Sequence, residues 1–317
     1  MPDSPAPETS EPTEVFLGHR ELLFSIVYNM LGSVADTEDV LQETWLSWAG
    51  RRPGTITNPR AYLVRIAVNH ALARQAAVRR RRESYVGPWL PEPLATDEAP
   101  DAAEPALRGE SVGMALLVIL ETLTPLERAV FVLNEVFGYT HPEIAGMLGR
   151  TPAAVRQLAH RARGHVHARR PRYPAHPRVQ EEATRRFVEA ALGGDVEALM
   201  RILAPDVTVW TDGGGKARGT ALRPVRGREK VTRILTGYAG RRREGFEVRY
   251  RTVNGDPSAV VFADDAPIAV MVMDLTPDGE QVSDVYIVRN PDKLGGLRDD
   301  AASGAPDAAP DEGGGQG

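Results

Sequence analysis

Three consecutive helix-start signals confine residues 124–167 to short, closely spaced helices. The first two, TPLE and THPE, each combine an N-cap threonine, a proline in the first helical turn and a glutamate that reaches back to the cap. In the third, RTPA, Thr151 precedes Pro152. Gly149 stands where a tight turn is needed between the last two helices. The predicted helices cover 125–137, 141–148 and 152–167.

A helix, a glycine-containing turn and a second helix with outward arginines form the pattern of a helix-turn-helix. No acidic residue occurs between Glu143 and Glu181, although the formal net charge of the 317-residue chain is −5. Arginine pairs with guanine in the major groove or holds phosphates, which favours DNA over the alternative of a solvated basic face. The candidate DNA-contacting residues are Thr151, Ala153, Arg156, Gln157, His160, Arg161 and Arg163.

Residues 14–86 also have helical periodicity, with two charged helices of opposite sign. One helix places acids and amides opposite an apolar face that contains Trp45, and the charge run alone is also typical of a solvated surface. A later helix opens at Pro59 and ends in an arginine run at 79–82. Its outward positions include Arg65, Asn69 and Arg74.

The rest of the chain divides into a linker, a mixed domain and two terminal segments. Residues 87–110 contain five prolines and six acids and predict an acidic linker. In 180–294, helices precede four strand-like runs, which predicts an α+β domain curled around a cavity. The acidic, proline-rich residues 1–13 and the Gly/Ala/Pro/Asp-rich residues 295–317 predict disordered ends.

Composition excludes several classes of protein. The chain has no cysteine, so disulfide frameworks and thiolate metal sites are excluded, and a reducing cytoplasm is the expected location. It has no apolar run of about 20 residues and no apolar segment near its start, so neither a membrane span nor a secretory signal is expected. The histidines lack metal-ligand spacing, and we expect no metal and no cofactor.

Two segments resemble the extracytoplasmic-function sigma factors of bacteria. The resemblance is carried by ADTEDVLQETWLSW and NPRAYLVRIAVNHALARQAAVRRR within 14–86, and by LTPLERAVFVLNEVFGYTHPEIAGMLGRTPAAVRQLAHRAR within 111–170. It implies that the first segment is sigma region 2, which binds core RNA polymerase and the minus-ten element. The second is implied to be region 4, whose helix-turn-helix binds the minus-thirty-five element.

The resemblance also implies roles for individual residues. The acidic helix is implied to dock on the β′ clamp helices of the polymerase, and the matching residues are Asp36, Asp39, Gln42, Glu43 and Trp45. The basic helix is implied to hold phosphates and a flipped base of the melted minus-ten element. The matching residues are Arg65, Asn69, Arg74, Arg79, Arg80, Arg81 and Arg82.

Three further motifs, WLPEP, TDGGGK and RNPDKL, resemble the marks of a sigma-factor subgroup with a fused, cone-shaped SnoaL-like domain. The resemblance implies that this domain regulates the sigma activity in cis. The motif residues are Trp89, Pro91, Asp212, Gly213, Gly214, Gly215, Lys216, Asn290, Pro291, Asp292 and Lys293. Their chemistry leaves three interpretations open: an anion-binding nest, a strained turn, or an interface with the linker or the first domain.

The prediction is a multidomain protein in which two all-α sigma domains precede an α+β SnoaL-like domain. It is expected to act by binding core polymerase and promoter DNA, without a membrane and without a reaction of its own. One alternative is a ligand-sensing helix-turn-helix regulator that is independent of polymerase. The other is a SnoaL-type isomerase or cyclase with DNA-binding helices, with Asp212, Asp274 and Asp284 as candidate proton-transfer acids. An unidentified small ligand of the C-terminal domain stays open.

Overall fold

The computed structural model describes residues 12–50, 56–96, 112–168, 176–239 and 246–298. The predicted disordered ends lie mostly outside these ranges, and so does the most acidic part of the predicted linker, 97–110. No helix among the described residues combines the length and apolar character that a membrane span requires.

Four helices form the N-terminal part. They are α1 (Pro12–Leu17), α2 (Arg20–Leu31), α3 (Val34–Ala49) and α4 (Pro59–Glu83). Helix α1 begins inside the segment that was predicted to be disordered up to residue 13. Asn58 caps α4 because its side-chain oxygen accepts the Ala61 N–H at 3.0 Å. Ile26, Val40 and Leu63 are fully buried and join α2, α3 and α4 in one core.

The next helices confirm the predicted helix starts. They are α5 (Met114–Leu120), α6 (Pro125–Phe131), α7 (His141–Leu148) and α8 (Pro152–His167), and a π-helix, Val132–Val136, continues α6. Both predicted capping boxes form, with Glu127 and Glu143 reaching back to their caps. Gly149 has a φ of +61°, a left-handed conformation that a residue without a Cβ adopts at little cost. The α7–α8 pair is therefore a helix-turn-helix.

The two helical parts share one apolar core. Helix α4 lies against α7, where the Asn69 side-chain amide donates to the Met147 carbonyl oxygen at 3.2 Å. Arg128 of α6 donates from Nε to the Asn29 carbonyl oxygen of α2 at 2.9 Å. The helix-turn-helix is therefore packed onto the N-terminal helices.

The C-terminal part is an α+β unit with a six-stranded sheet. Its elements are α9 (Pro177–Gly193), α10 (Val196–Ile202), β1 (Leu203–Asp212), β2 (Val225–Arg226), α11 (Arg228–Ala239), β3 (Phe246–Val253), β4 (Asp256–Ala263), β5 (Ala266–Leu275) and β6 (Val282–Val288). The strand order is β2-β1-β6-β5-β4-β3. The predicted antiparallel meander is present as β3–β6, whereas β1 pairs with β6 in parallel, so the sheet is mixed.

The two faces of this sheet are covered by different parts of the chain. On one face α9–α11 pack through residues such as Phe187 and Leu199. On the other face, the cluster around Phe262 and Tyr286 includes Leu90 from the predicted linker, Met114 from α5 and residues from the end of the described chain. This second face joins the C-terminal unit to the helical parts.

Two predicted boundaries are corrected by this packing. Gly295–Leu297 forms a short 3-10 helix, and Leu297 is fully buried, so the chain stays ordered beyond residue 294. Residues 88–96 are not a loose spacer, because they bond to the end of β3 and to the turn after it. Thr96 donates its N–H to the Thr252 carbonyl oxygen at 2.9 Å, and Asn254 donates to that of Leu94 at 2.8 Å.

Candidate nucleic-acid and polymerase interfaces

The outward face of α8 is open along most of its length. Val155, Ala159 and Ala162 are buried, so the opposite side of the helix faces away from the core. The exposed predicted residues are Thr151, Ala153, Arg156, Gln157, His160 and Arg161. These residues therefore form one exposed face of the second helix of the helix-turn-helix.

The arginines of α8 differ in their neighbours. Among the described residues Arg156 forms no ion pair. Arg161 is exposed, but its Nε donates to Glu127 Oε1 at 2.9 Å. Arg163 is partly exposed and pairs with Glu135 at 3.1 Å. Arg156 is therefore the arginine of this set that is most available to a ligand.

The acidic face of α3 lies against the basic face of α4. Asp36 is buried and accepts hydrogen bonds from Arg74 Nε at 2.9 Å and Arg81 Nη2 at 2.5 Å. Arg74 also pairs with Asp39, and its Nη1 lies 3.5 Å from Glu43 Oε1. The carboxylates predicted to bind polymerase and two arginines predicted to bind DNA thus neutralise each other.

The electrostatics of Asp36 follow from these contacts. Burial raises the pKa of its carboxyl group, but hydrogen bonds and charges from Arg81 and Arg74 outweigh burial. The net result is a pKa below the ordinary value, so the group stays ionised. Asp36 is therefore a structural anchor between α3 and α4, and its predicted role as an exposed docking residue is corrected.

An exposed patch remains on α3 after these pairs are assigned. Asp39, Gln42 and Glu43 are exposed, and Trp45 is half-buried with its ring 5.3 Å from that of Phe16. Leu46 is 72% exposed and was missed by the sequence analysis. Its spacing of four from Gln42 places both on one helix face, which was the available signal.

The predicted minus-ten residues of α4 divide into open and occupied side chains. Arg65, Asn69, Arg79, Arg80 and Arg81 are exposed. Asn69 donates to the Arg65 carbonyl oxygen at 2.7 Å as well as to α7. Arg82, at the end of the predicted run, is partly buried and pairs with Glu121 and the Leu31 carbonyl oxygen. Its predicted phosphate contact is corrected, because its donors are directed into the protein.

The three motifs of the predicted subgroup meet at Asp212, which is fully buried. Its Oδ2 accepts hydrogen bonds from the Leu90 N–H at 2.9 Å and from Lys293 Nζ at 2.7 Å. Its Oδ1 accepts from the Tyr85 hydroxyl at 2.5 Å. We call this arrangement of Tyr85, Leu90, Asp212 and Lys293 the linker cluster.

Two neighbours complete the linker cluster. Asn290 donates from Nδ2 to the Tyr85 hydroxyl oxygen at 2.8 Å. Lys293 Nζ lies 4.2 Å from the centre of the Trp89 ring, and Arg82 lies 3.4 Å from the same centre. Burial, opposed by the charge of Asp212, lowers the pKa of Lys293 to about 8. The cluster therefore joins the end of α4, the linker and the C-terminal unit.

The glycines of the TDGGGK motif fit this interface closely. Gly214 has a φ of +56°, and a Cβ there would lie 2.5 Å from Asn290 Nδ2 and 2.9 Å from the Tyr85 hydroxyl oxygen. Lys216 extends from the same loop to pair with Asp292. Of the three interpretations of these motifs, the contacts are those of an interface.

The linker is also held by the N-terminal helices. Glu92 donates its N–H to the Gly32 carbonyl oxygen at 3.0 Å, and its carboxylate accepts the Val34 N–H at 2.8 Å. Its carbonyl oxygen accepts the Tyr28 hydroxyl, whose oxygen in turn accepts from Asn254 Nδ2 at 2.7 Å. A single segment thus contacts α2, α3 and the C-terminal sheet.

Comparisons with known proteins agree with this arrangement. The family model Sigma-70 region 2 matches residues 15–83, and Sigma-70, region 4 matches residues 113–166. The ECF RNA polymerase sigma factor SigJ of Mycobacterium tuberculosis is 36% identical over 289 residues, which are 87% of this chain and 91% of that protein. The chain belongs to the extracytoplasmic-function (ECF) sigma factors.

Two further likenesses extend over most of this ECF sigma factor. The probable ECF RNA polymerase sigma factor SigI of M. tuberculosis is 28% identical over 290 residues, covering 90% of this chain and 96% of that protein. The crystal structure of M. tuberculosis SigJ superposes with a TM-score of 0.68 at 34% identity, covering 90% of this chain and 98% of that one. The likeness therefore includes the C-terminal unit.

Family membership fixes the two main partners of this sigma factor, which are the core RNA polymerase and promoter DNA. It does not favour a regulator that is independent of polymerase. The relatives are sigma factors, which are not enzymes.

The three aspartates considered for proton transfer do not line a cavity of the C-terminal unit that the structure describes. Asp212 belongs to the linker cluster. Asp274 and Asp284 are paired in register on β5 and β6, and burial raises the pKa of Asp284 to about 6. Two cavities in this unit, of about 250 and 300 Å³, contain none of the three among their lining residues.

Proposed function

We propose that this ECF sigma factor selects promoters through α4 and α8 and is regulated in cis by its C-terminal unit. In this proposal, the exposed patch of Asp39, Gln42, Glu43 and Leu46 docks on the polymerase clamp helices. Helix α8 reads the minus-thirty-five element, and the open arginines of α4 hold the minus-ten element.

We further propose that residues 177–298 form a SnoaL-like domain. The support is the order of elements: two helices, a strand, a third helix and then an antiparallel meander, with α9–α11 on one face of the sheet. The other face carries the contacts to the linker and α5. In this proposal, those contacts regulate the sigma activity.

The observation that carries regulation in cis is the fully buried carboxylate of Asp212. It is bonded at once to the linker, the end of α4 and the last motif. A second contact supports it, because Asp256 of β4 accepts the Met114 N–H of α5 at 3.0 Å. The C-terminal unit therefore holds the chain on both sides of the region 2–region 4 connection, and the relative position of the two regions depends on it.

The energetics of the linker cluster favour a tight but reversible attachment. Lys293 and Asp212 are both buried, and removing one partner of such a pair costs about 3–5 kcal/mol. Open and closed arrangements that differ by such a contact can be shifted by binding to polymerase. We infer that docking on core polymerase competes with the linker cluster.

The test uses full-length protein with a glycine substitution in the interface. Gly214→Ala introduces a Cβ against Asn290 and Tyr85. The matched control is Gly227→Ala, whose φ of +94° is also positive but whose Cβ would meet no heavy atom within 4 Å. Transcription is measured with purified core polymerase on a promoter selected from a library.

We expect Gly214→Ala to raise transcription relative to Gly227→Ala, because it weakens the hold of the C-terminal unit on the end of α4 and the linker. Equal output from the two variants would contradict regulation through this interface. A lower output from Gly214→Ala would mean that the C-terminal unit supports initiation rather than restraining it.

A further inference from the structure

A cavity of about 440 Å³ lies between region 2 and region 4. Its wall includes α2, α4, Trp89 of the linker and the turn between α5 and α6. The volume is within the range of small-molecule sites, roughly 300–1,000 Å³. Of the residues in its wall, Arg79 also belongs to the proposed minus-ten contacts, and the others have no part in the proposed contacts with polymerase or DNA.

The inner wall of the cavity carries two arginines that share one carboxylate. Arg82 of α4 and Arg128 of α6 both pair with Glu121. Arg128 is only 4% exposed. At the rim, Arg79 faces Glu83 at 3.8 Å, and both side chains are exposed. The lining therefore holds three guanidinium groups against two carboxylates.

Burial and neighbouring positive charge lower the pKa of the buried arginines. Burial lowers the pKa of both to about 9, and for Arg82 the charge of Arg128 is the next contribution in the same direction. Arg82 Nε and Arg128 Nη2 have no hydrogen-bond acceptor among the described residues. Buried donors without acceptors are unfavourable, and an anion in the adjoining cavity would offset the uncompensated positive charge.

The remaining wall is mixed, because Gln75, Thr122 and Thr124 contribute polar groups. Met30, Leu31, Val78 and Leu123 line the cavity beside the arginines. A bare inorganic anion would leave this surface in contact with water. A ligand with one anionic group and a body of low polarity would cover it.

We propose that this cavity binds a phosphomonoester with a partly apolar body, of the size of a nucleoside monophosphate. Guanidinium groups match the geometry of phosphate oxygens, and the excess positive charge of the lining attracts an anionic group. The ligand would touch α4, the linker and the α5–α6 turn together. Its binding therefore favours the arrangement in which regions 2 and 4 are packed.

The experiment uses the full-length protein and three probes at matched ionic strength: adenosine 5′-monophosphate, adenosine and inorganic phosphate. Isothermal titration calorimetry measures binding, and the melting temperature is measured with and without each probe. We expect saturable binding and a raised melting temperature with the monophosphate, weaker binding with phosphate, and none with adenosine.

Two variants at one exposed position separate charge from shape. Thr122 lies on the region 4 side of the cavity wall. Thr122→Glu places a carboxylate against the ligand and should weaken binding at least about tenfold. Thr122→Gln has nearly the same size without the charge and should bind within about threefold of the original protein.

The rim pair gives a second, opposite-sign test that does not depend on the Thr122 variants folding. Arg79→Gln should weaken monophosphate binding about threefold, and Glu83→Gln should strengthen it by a similar factor. Equal affinities for Thr122→Glu and Thr122→Gln, or a shift of the same sign in both rim variants, would overturn the site. So would a melting temperature that does not respond to the monophosphate, or adenosine binding as tightly as the monophosphate. Competition by a DNA duplex that is unaffected by the Thr122 variants would assign the signal to the DNA-binding arginines instead.

Discussion

Helices α4 and α8 both carry rows of arginines that were predicted to hold nucleic acid, yet their partners differ. In α4, Arg74 and Arg81 bond to the buried Asp36, and Arg74 also pairs with Asp39 and Glu43 of α3. In α8, Arg156 is exposed and forms no ion pair with any described residue. Both rows are partly engaged by acids, since Arg161 and Arg163 of α8 also form ion pairs, but α8 keeps Arg156 unpaired among the described residues.

The acids that pair with α4 differ in exposure, which suggests which ion pairs break first when the protein docks on polymerase. Asp39 and Glu43 are exposed, and exposed ion pairs contribute only about 0–1 kcal/mol, so a basic surface of the polymerase can replace Arg74 at little cost. Asp36 is buried and stays with α4. Docking on polymerase would therefore free Arg74 from Asp39 and Glu43, while its hydrogen bond to Asp36 would remain, and the two proposed sites of region 2 would be coupled through this arginine.

The largest effect that this comparison predicts is at Asp36. Asp36→Asn leaves two guanidinium groups without their buried partner, and we expect the free energy of unfolding to fall by about 3 kcal/mol. Urea denaturation of the full-length protein measures it. The control is Asp39→Asn, which removes an exposed acid and should cost less than about 1 kcal/mol. Equal losses of unfolding free energy in the two variants would show that Asp36 is no more a structural anchor than Asp39.

The same carboxylate predicts a dependence on pH. The pKa of Asp36 in the folded protein is below the value of about 3.9 that an aspartate has in an unfolded chain. Its stabilising contribution is therefore fully present above pH 3.9 and is lost as the pH falls through the folded pKa. Denaturation curves between pH 6 and pH 3 should show a shallower acid loss in Asp36→Asn than in the original protein. Parallel curves would show that Asp36 does not contribute in this way.

A substitution on the exposed face of α8 should change binding to DNA without changing the stability of the fold. Arg156→Ala should weaken binding to a minus-thirty-five duplex by about 2 kcal/mol if the side chain reads a base. The melting temperature should not change, because Arg156 is exposed. Electrophoretic mobility shifts with matched and mutated duplexes measure this. A uniform loss on all sequences would assign Arg156 to a phosphate.

The helices of the fold and the outward face of α8 could be predicted because their signals are local. Caps such as Thr124 and Thr151 fix where helices begin, and period 3.6 fixes which face is apolar. The pairing of α3 with α4 could not be predicted in this way. A helical pattern shows that Asp36 and Arg74 each point outward from their own helix, but not that these two surfaces meet.

The linker cluster is non-local in the same sense. Leu90 and Lys293 are about 200 residues apart, and each motif alone is compatible with a turn or an anion site. Only the fold shows that Asp212 stands between them. The burial of Leu297 was unpredictable for a related reason, since one leucine in a glycine-rich segment produces no periodicity.

The smallest predicted effect compares the two ion pairs that join α8 to α6 and to the π-helix after it. Arg163 and Glu135 are each about one-third exposed, so Arg163→Ala should lower the free energy of unfolding by only about 0.5 kcal/mol. Glu127, the partner of Arg161, is buried and also caps α6 through Thr124, so Arg161→Ala should cost somewhat more, about 1 kcal/mol. Denaturation of both variants measures the difference. If Arg163→Ala instead lowers the free energy of unfolding more than Arg161→Ala does, Glu127 does not depend on its pair with Arg161. Arg161 would then be as available to DNA as Arg156.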